Sequence, residues 1–203
     1  MRPLFVALAL LCVTFSYALE VEEHQTVLTV KQVVNQTIEL LKNETDIEKR
    51  RQIIKQKVYP IIVPMIDFDQ FSKLVLSRNI KTINSDQFKE FTGLLKQLLL
   101  QVYGNAFLKF SNQIIQFQPY LTTNQENRST VTIKIIQPTG SSSTTVDFLF
   151  LKKESGWLVY DMKVEQLSLV ASYRDVVNDE IQRSGINGIL LNFRKKIEND
   201  KSK

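Results

Sequence analysis

Apolar residues in the first half of the chain recur every three to four positions, the spacing of an amphipathic helix. A first helix is predicted by a regular apolar series, which consists of Val27, Val30, Val34, Ile38 and Leu41. A second, more charged helix is predicted from about Asp46 to Val58, where Pro60 and Pro64 interrupt the pattern. Asp67 is predicted to cap a short helix that carries Phe68, Phe71, Leu74 and Val75. The N-terminal half is therefore expected to be helical.

A long helix is predicted from the cap Ser85 to about Phe110, and it is unusually apolar. Of its 25 positions after Ser85, 13 are apolar, which is more than the stripe of a surface helix requires. Two interpretations follow. The helix is buried on two sides, which the sequence alone favours, or it packs on a sheet and also lines a cavity.

After Ser111 the apolar period changes from that of a helix to that of a strand. Four strands in meander order are predicted, at Ile114–Gln118, Thr130–Gln137, Thr144–Lys152 and Trp157–Val164. Ser168 is predicted to cap a last amphipathic helix that breaks at Ser184 and Gly185. The order of elements predicts an α+β fold, in which a curved antiparallel four-stranded sheet packs with N- and C-terminal helices.

The first eighteen residues have the pattern of a removable export signal. Arg2 precedes an apolar run from Leu4 to Phe15, and small residues stand at Ser16 and Ala18. Cleavage after Ala18 would leave 185 residues, which we expect to form a single domain over 19–197 with a polar tail at 198–203. Because Leu11 stands where a lipoprotein cut requires a small residue, an anchor at Cys12 is the less favoured alternative.

Groups suited to proton or electron transfer are scarce in the mature sequence. Cys12 is the only cysteine and His24 the only histidine, so neither thiol chemistry nor a metal site is predicted. Asp161, in an apolar strand, is the one carboxylate that burial could turn into a general base. We expect it instead to pair with Arg174 as a structural ion pair. No catalytic residue, no metal and no cofactor is predicted.

The charge of the mature chain is mildly basic and scattered. Loss of Arg2 leaves 25 basic and 21 acidic residues, a net charge of +4. The basic residues do not form stripes with interleaved aromatics, so no nucleic-acid partner is predicted. Weak attraction to an anionic membrane surface is the better interpretation.

Three segments together resemble the MlaC family, also called toluene-tolerance proteins, which are periplasmic phospholipid carriers of Gram-negative bacteria. The segments are Pro64–Leu76, Phe91–Tyr103 and Trp157–Leu191. The last is the most specific, since it keeps the family's order and spacing at Trp157, Asp161, Ser168, Leu169, Tyr173, Arg174, Gly185, Gly188 and Ile189. The chain departs from the family pattern at Gln166, Ser77, Asn79 and Ile80, which changes the backbone freedom of one turn and the shape of one surface.

The resemblance implies a nuclear-transport-factor-like sheet and helices that enclose phospholipid acyl chains as cargo. It also implies a monomeric periplasmic shuttle between an inner-membrane ABC transporter complex, with its MCE-domain protein, and an outer-membrane lipoprotein–porin complex. Such a shuttle maintains the lipid asymmetry of the outer membrane. A pocket near or above roughly 1,000 Å³ is expected. The residues expected to line it are Phe71, Leu74, Val75, Leu95, Leu98, Leu99, Val102, Ile133, Ile135, Val146, Phe148, Phe150, Val170 and Tyr173.

Three other functions remain open on the sequence. The cargo could be another lipid, such as a hopanoid or a quinone. The same scaffold also hosts enzymes, which would need an acid–base pair inside the cleft. A module that only binds protein partners is the third alternative.

Overall fold

The computed structural model describes residues 24–108, 113–118, 126–138, 140 and 142–201. The predicted signal peptide lies outside these residues, as does the predicted end of the long helix at Phe110. Six helices and five strands are formed in the described part of the chain. The helices are α1 (Gln25–Leu41), α2 (Ile47–Ile53), α3 (Tyr59–Ile62), α4 (Phe68–Leu76), α5 (Ser85–Leu108) and α6 (Leu169–Lys201). The strands are β1 (Ile114–Phe117), β2 (Arg128–Ile136), β3 (Ser143–Lys153), β4 (Gly156–Val164) and β5 (Leu167–Ser168).

The helix predicted to stop at Pro60 continues past it. A π-helical turn over Ile54–Val58 joins α2 to α3, and Pro60 lies in the first turn of α3. The wider turn changes the backbone hydrogen-bond register just before the residue that has no N–H to donate. The chain then tightens into a 3₁₀ turn at Val63–Met65, which contains Pro64.

The predicted caps Asp67 and Ser168 are confirmed, and the cap predicted at Ser85 is displaced by one residue; Ser168 Oγ accepts from Ala171 N–H at 3.0 Å. Asp67 accepts a hydrogen bond from the Gln70 N–H at 2.9 Å and begins α4. At α5 the cap is Asn84 rather than Ser85, because Asn84 Oδ1 accepts from Gln87 N–H at 2.8 Å. Gln87 Oε1 accepts in return from Asn84 N–H at 3.1 Å. The two residues form a reciprocal capping pair.

The sheet is antiparallel throughout, in the order β1-β2-β3-β4-β5. The four predicted strands are confirmed, and β5 is a short fifth strand that pairs with the end of β4. Between Leu149 and Phe150 the register of β3 against β4 shifts by one residue, which leaves Tyr160 without an opposite residue. A bulge of this kind bends and twists its strand, so it contributes to the curvature of the sheet.

Three apolar clusters are formed in the described residues, and the two larger ones occupy different layers. Val131, Ile133, Val146, Phe150 and Val159 of the sheet pack against Val27 and Val30 of α1. A hydrogen bond of 2.7 Å between the Thr26 and Ser129 hydroxyls also joins α1 to β2. The second cluster is almost wholly helical and joins α4, α5 and both ends of α6. Met162 packs against both clusters, and therefore marks where they meet.

Helix α6 bends at Gly185, as the sequence predicts. Gly185 has φ 68° and ψ −177°, outside the helical region, and a positive φ is the conformation that glycine adopts without strain. The segment after the bend lies along α5, through Gln87–Asn187 and Glu90–Arg194 side-chain bonds. Its helix continues to Lys201, into the segment predicted to be a polar tail.

The positions where the sequence departs from the family pattern have structural roles here. Glu165 and Gln166 both have positive φ, 48° and 67°, in the tight turn between β4 and β5. Gln166 Nε2 donates to Asp147 Oδ2 at 3.3 Å from that turn. Ser77 ends α4 with φ 50°. Asn79 Nδ2 donates to Asn178 Oδ1 at 2.6 Å and thereby ties the turn after α4 to α6.

Candidate functional site

A cavity of about 550 Å³ opens between α5 and the two segments of α6. Each segment contributes to its wall because the bend at Gly185 folds one beside the other. Eight residues line it: Leu98, Val102, Ser172, Tyr173, Val176, Phe193, Lys196 and Asn199.

The lining changes from apolar at depth to polar at the rim. Leu98 and Phe193 are only 4% and 2% exposed and form the floor. Val102 and Val176 are 43% and 53% exposed, so apolar surface continues up the wall into solvent. The other lining residues bear polar groups, of which Ser172, Lys196 and Asn199 are exposed and Tyr173 is half-buried. A cavity with this order of surfaces suits an amphipathic molecule.

The fourteen residues predicted to line a lipid pocket fall into three places. Leu98, Val102 and Tyr173 line the cavity. Six others belong to the helical cluster, namely Phe71, Val75, Leu95, Leu99 and Val170, with Leu74 at its edge. The remaining five belong to the sheet cluster beneath α1, namely Ile133, Val146 and Phe150, with Ile135 and Phe148 partly buried. The structure therefore does not gather the fourteen around one cavity.

The cavity is also smaller than expected. Its volume of about 550 Å³ lies in the middle of the range of roughly 300–1,000 Å³ found for sites of drug-sized ligands. A larger pocket is predicted from the surplus apolar faces of the helices and the sheet, and other elements cover most of those faces. Here α1 covers the apolar face of the sheet, and the two segments of α6 cover much of α5.

Five residues that line the cavity are not among those predicted from the sequence: Ser172, Val176, Phe193, Lys196 and Asn199. The sequence could have indicated Val176, because it lies beside Val177 and widens the apolar stripe of its helix beyond the face that packs on the core. The contribution of Phe193, Lys196 and Asn199 depends on how far α6 turns at Gly185. That angle is a tertiary property and has no counterpart in the helical periodicity.

Two tyrosines pack, partly buried, at the edge of the helical cluster: Tyr173, which lines the cavity, and Tyr103 on α5, which does not. Burial, together with the neighbouring Tyr103, raises the pKa of Tyr173 to about 12. Burial also raises the pKa of Tyr103. Both hydroxyls therefore remain protonated at neutral pH and are available as hydrogen-bond donors.

The predicted ion pair between Asp161 and Arg174 is not formed. Asp161 accepts hydrogen bonds from the Ser168 hydroxyl at 2.6 Å, Val170 N–H at 3.1 Å and Met162 N–H at 2.8 Å. Arg174 Nε instead donates to the Leu74 carbonyl at 2.8 Å, at the end of α4. Asp161 thus holds the beginning of α6, where helix-terminal N–H groups favour a negative charge. It does not line the cavity.

Across the described ranges, no three side chains of histidine, cysteine, aspartate or glutamate converge in a way that could hold a metal ion. In the same residues, no helix combines the length and apolar character needed to cross a membrane.

The fold and the cavity define a class: an α+β protein with a curved antiparallel sheet and a cavity between helices that is apolar at depth and polar at its rim. Within that class the chain belongs to the MlaC protein family, whose family model matches residues 31–195. The resemblance noted in the sequence is therefore confirmed.

The proteins similar to this chain include two curated relatives and one solved structure. The toluene tolerance protein ttg2D of Pseudomonas putida is 27% identical over 62% of this chain and 58% of its own length. The intermembrane phospholipid transport system binding protein MlaC of Haemophilus influenzae is 25% identical over 59% of this chain and 57% of its own length. The matched region thus spans less than two thirds of either relative.

The solved structure is that of a phospholipid-binding protein from Ralstonia solanacearum in complex with a phospholipid. It has a TM-score of 0.74 at 23% identity and covers 86% of this chain and 98% of that chain. This likeness confirms the α+β fold with its curved sheet.

Proposed function

We propose that the protein is a phospholipid carrier that holds lipid acyl chains in the cavity between α5 and α6. The observation that carries the proposal is the lining itself: buried Leu98 and Phe193 at the floor, and exposed Val102 and Val176 on the wall. An acyl chain gains about 0.8 kcal/mol for each CH₂ removed from water. Exposed valines beside a buried floor offer a continuous surface for such a chain.

A diacyl phospholipid is larger than the ligands usually found in a cavity of this volume, so we propose a second region for the remaining chain. We place this region at Met162, which packs against both the helical and the sheet cluster, so a small separation of α6 from the sheet would expose apolar surface there. Phe148 is partly buried and lies opposite Met162 in the sheet, and Ile135 extends the same cluster onto β2. We propose that these sheet residues of the predicted lining contact the second acyl chain.

The family and the names of the relatives support a role in transport between membranes. We propose that the protein moves phospholipid through the periplasm and maintains the lipid asymmetry of the outer membrane. Its proposed partners are an inner-membrane ABC transporter complex with an MCE-domain protein and an outer-membrane lipoprotein–porin complex. A monomer fits this role, since a shuttle has to leave each membrane.

The proposal is tested by the lipid that accompanies the protein. Full-length protein is exported, purified without a delipidation step, and extracted for lipid mass spectrometry. The expected result is co-purified phospholipid in a constant ratio to protein. A hopanoid or quinone in its place would assign a different cargo, and repeated preparations free of lipid would contradict the carrier function.

A further inference from the structure

Tyr173 places a hydroxyl at the cavity wall. Within the part of the chain that the structure describes, this hydroxyl forms no hydrogen bond. The hydroxyl is not sealed in the core either, as it is absent from the fully buried unpaired atoms of the described chain. Water can therefore reach the hydroxyl when the cavity is empty. A ligand that displaces this water has to supply an acceptor in its place, or the donor is left unsatisfied.

The position of Tyr173 between floor and rim identifies the kind of acceptor. Exposure sets this order: Leu98 and Phe193 are buried and apolar, Tyr173 is half-buried, and Lys196 and Asn199 are exposed and polar. A phospholipid has the same order of groups: acyl chains, then ester carbonyls, then phosphate. If its chains lie on the floor and its phosphate near Lys196, the ester carbonyls lie level with Tyr173.

Tyr103 on α5 also packs, partly buried, at the edge of the helical cluster that Tyr173 borders. Like Tyr173, it forms no hydrogen bond with the described residues. Because Tyr103 does not line the cavity, Tyr173 is the phenol that a ligand there would meet.

Resting on the proposed function, we propose that Tyr173 donates a hydrogen bond to an ester carbonyl of the bound lipid. The site would then distinguish ester-linked phospholipids from ether-linked analogues, which have the same chains and phosphate but no carbonyl. Tyr173 is thus assigned as a specificity-determining residue of the cavity.

The experiment is a competition between diester and diether phosphatidylglycerol of equal chain length. Both are offered in equal amounts in detergent to the full-length protein, and the bound ratio is read by native mass spectrometry. The protein is expected to favour the diester by about two- to tenfold, the factor that one net hydrogen bond contributes. Tyr173→Phe removes only the hydroxyl and is expected to bring the ratio close to one. Tyr160→Phe is the matched control and should keep the preference, because Tyr160 lies on β4 and its hydroxyl accepts a hydrogen bond from Arg128 of β2.

Each other outcome overturns a stated claim. Equal binding of both lipids by the unchanged protein contradicts the inference and leaves the carrier function intact. A loss of both lipids to the same extent in Tyr173→Phe would place the hydrogen bond on the phosphate, and so would also contradict it. Binding of neither lipid by the unchanged protein refutes the proposed function itself. Circular dichroism of each variant establishes that the fold is retained.

Discussion

Replacement of Asp161 by alanine tests how the start of α6 is held. The carboxylate is 7% exposed and receives hydrogen bonds from the Ser168 hydroxyl and the Val170 N–H. These two bonds cross from β4 to the helix that carries Ser172, Tyr173 and Val176. In Asp161→Ala the Val170 N–H is left buried without a partner.

The magnitude follows from the two bonds that reach α6. Hydrogen bonds to a charged group contribute about 1.5–3 kcal/mol each, so the lower value for both gives a loss of about 3 kcal/mol. For a chain of this size one kcal/mol corresponds to about 2–4 °C in Tm, and the expected fall is therefore about 6–12 °C. Asp161→Asn keeps an oxygen acceptor for Val170 and should lose only about 1 kcal/mol, the part due to charge at the helix terminus.

The assay is thermal unfolding followed by circular dichroism at neutral pH. Asp175→Ala is the matched control, since Asp175 is an exposed acid on the same helix and its loss should change stability by at most about 0.5 kcal/mol. If Asp161→Ala melts within 2 °C or so of the unchanged protein, the carboxylate does not anchor α6.

A double-mutant cycle separates this account from the ion pair that the sequence suggested. Arg174→Ala should cost about 1 kcal/mol through loss of its bond to the Leu74 carbonyl, independently of Asp161. The losses of Asp161→Asn and Arg174→Ala should add to within about 0.5 kcal/mol. A coupling energy above about 1 kcal/mol would show that Asp161 and Arg174 interact directly, and would refute their assignment to separate backbone partners.

Two further predictions concern the helical layer and the start of α1. Gly104→Ala should destabilise the fold by about 1–3 kcal/mol, because a Cβ there would overlap the hydroxyl of Tyr59, which donates to the Leu100 carbonyl at 2.6 Å. Denaturant unfolding should show a smaller loss of stability when Gly104→Ala is made in a Tyr59→Phe background. An equal loss in both backgrounds would refute the contact. Burial and the charge of Lys152 lower the pKa of His24 below 6.5, so its stabilising effect is present above that pH and is lost as the pH falls through the lowered value. The Tm advantage over His24→Gln should accordingly shrink from about pH 7.5 to about pH 5, and a constant difference would contradict the assignment.

Local patterns predicted much of the fold because local physics determines those parts of it. Alternation in β2 separates buried Val131 and Ile133 from the less buried Thr130 and Thr132, as the structure shows. The bend at Gly185 follows from a positive φ that glycine alone adopts readily. Periodicity does not show how a π-helical turn accommodates Pro60, since that depends on the hydrogen-bond register of the preceding residues.

The candidate site was predicted less well, because apolar character does not reveal what covers a residue. Phe150 and Leu95 are fully buried beneath other elements, whereas Val102 is equally apolar in sequence and lies at an open cavity. Asp161 and Arg174 are complementary in charge, yet each finds a backbone partner nearer than the other. Whether an apolar residue is buried in the core or lines the cavity depends on the placement of α1 and of the two segments of α6.

The most direct test of the central claim is native mass spectrometry of the full-length protein and its cavity variants. Val102→Asp and Val176→Asp each place a carboxylate on the exposed wall of the cavity, and Ile47→Asp is the control at a 60% exposed position on α2 that does not line it. The account predicts a bound phospholipid on the unchanged protein and on Ile47→Asp, with most of it lost in both cavity variants. Lipid retained in full by Val102→Asp and Val176→Asp would contradict the assignment of the cavity as the lipid site.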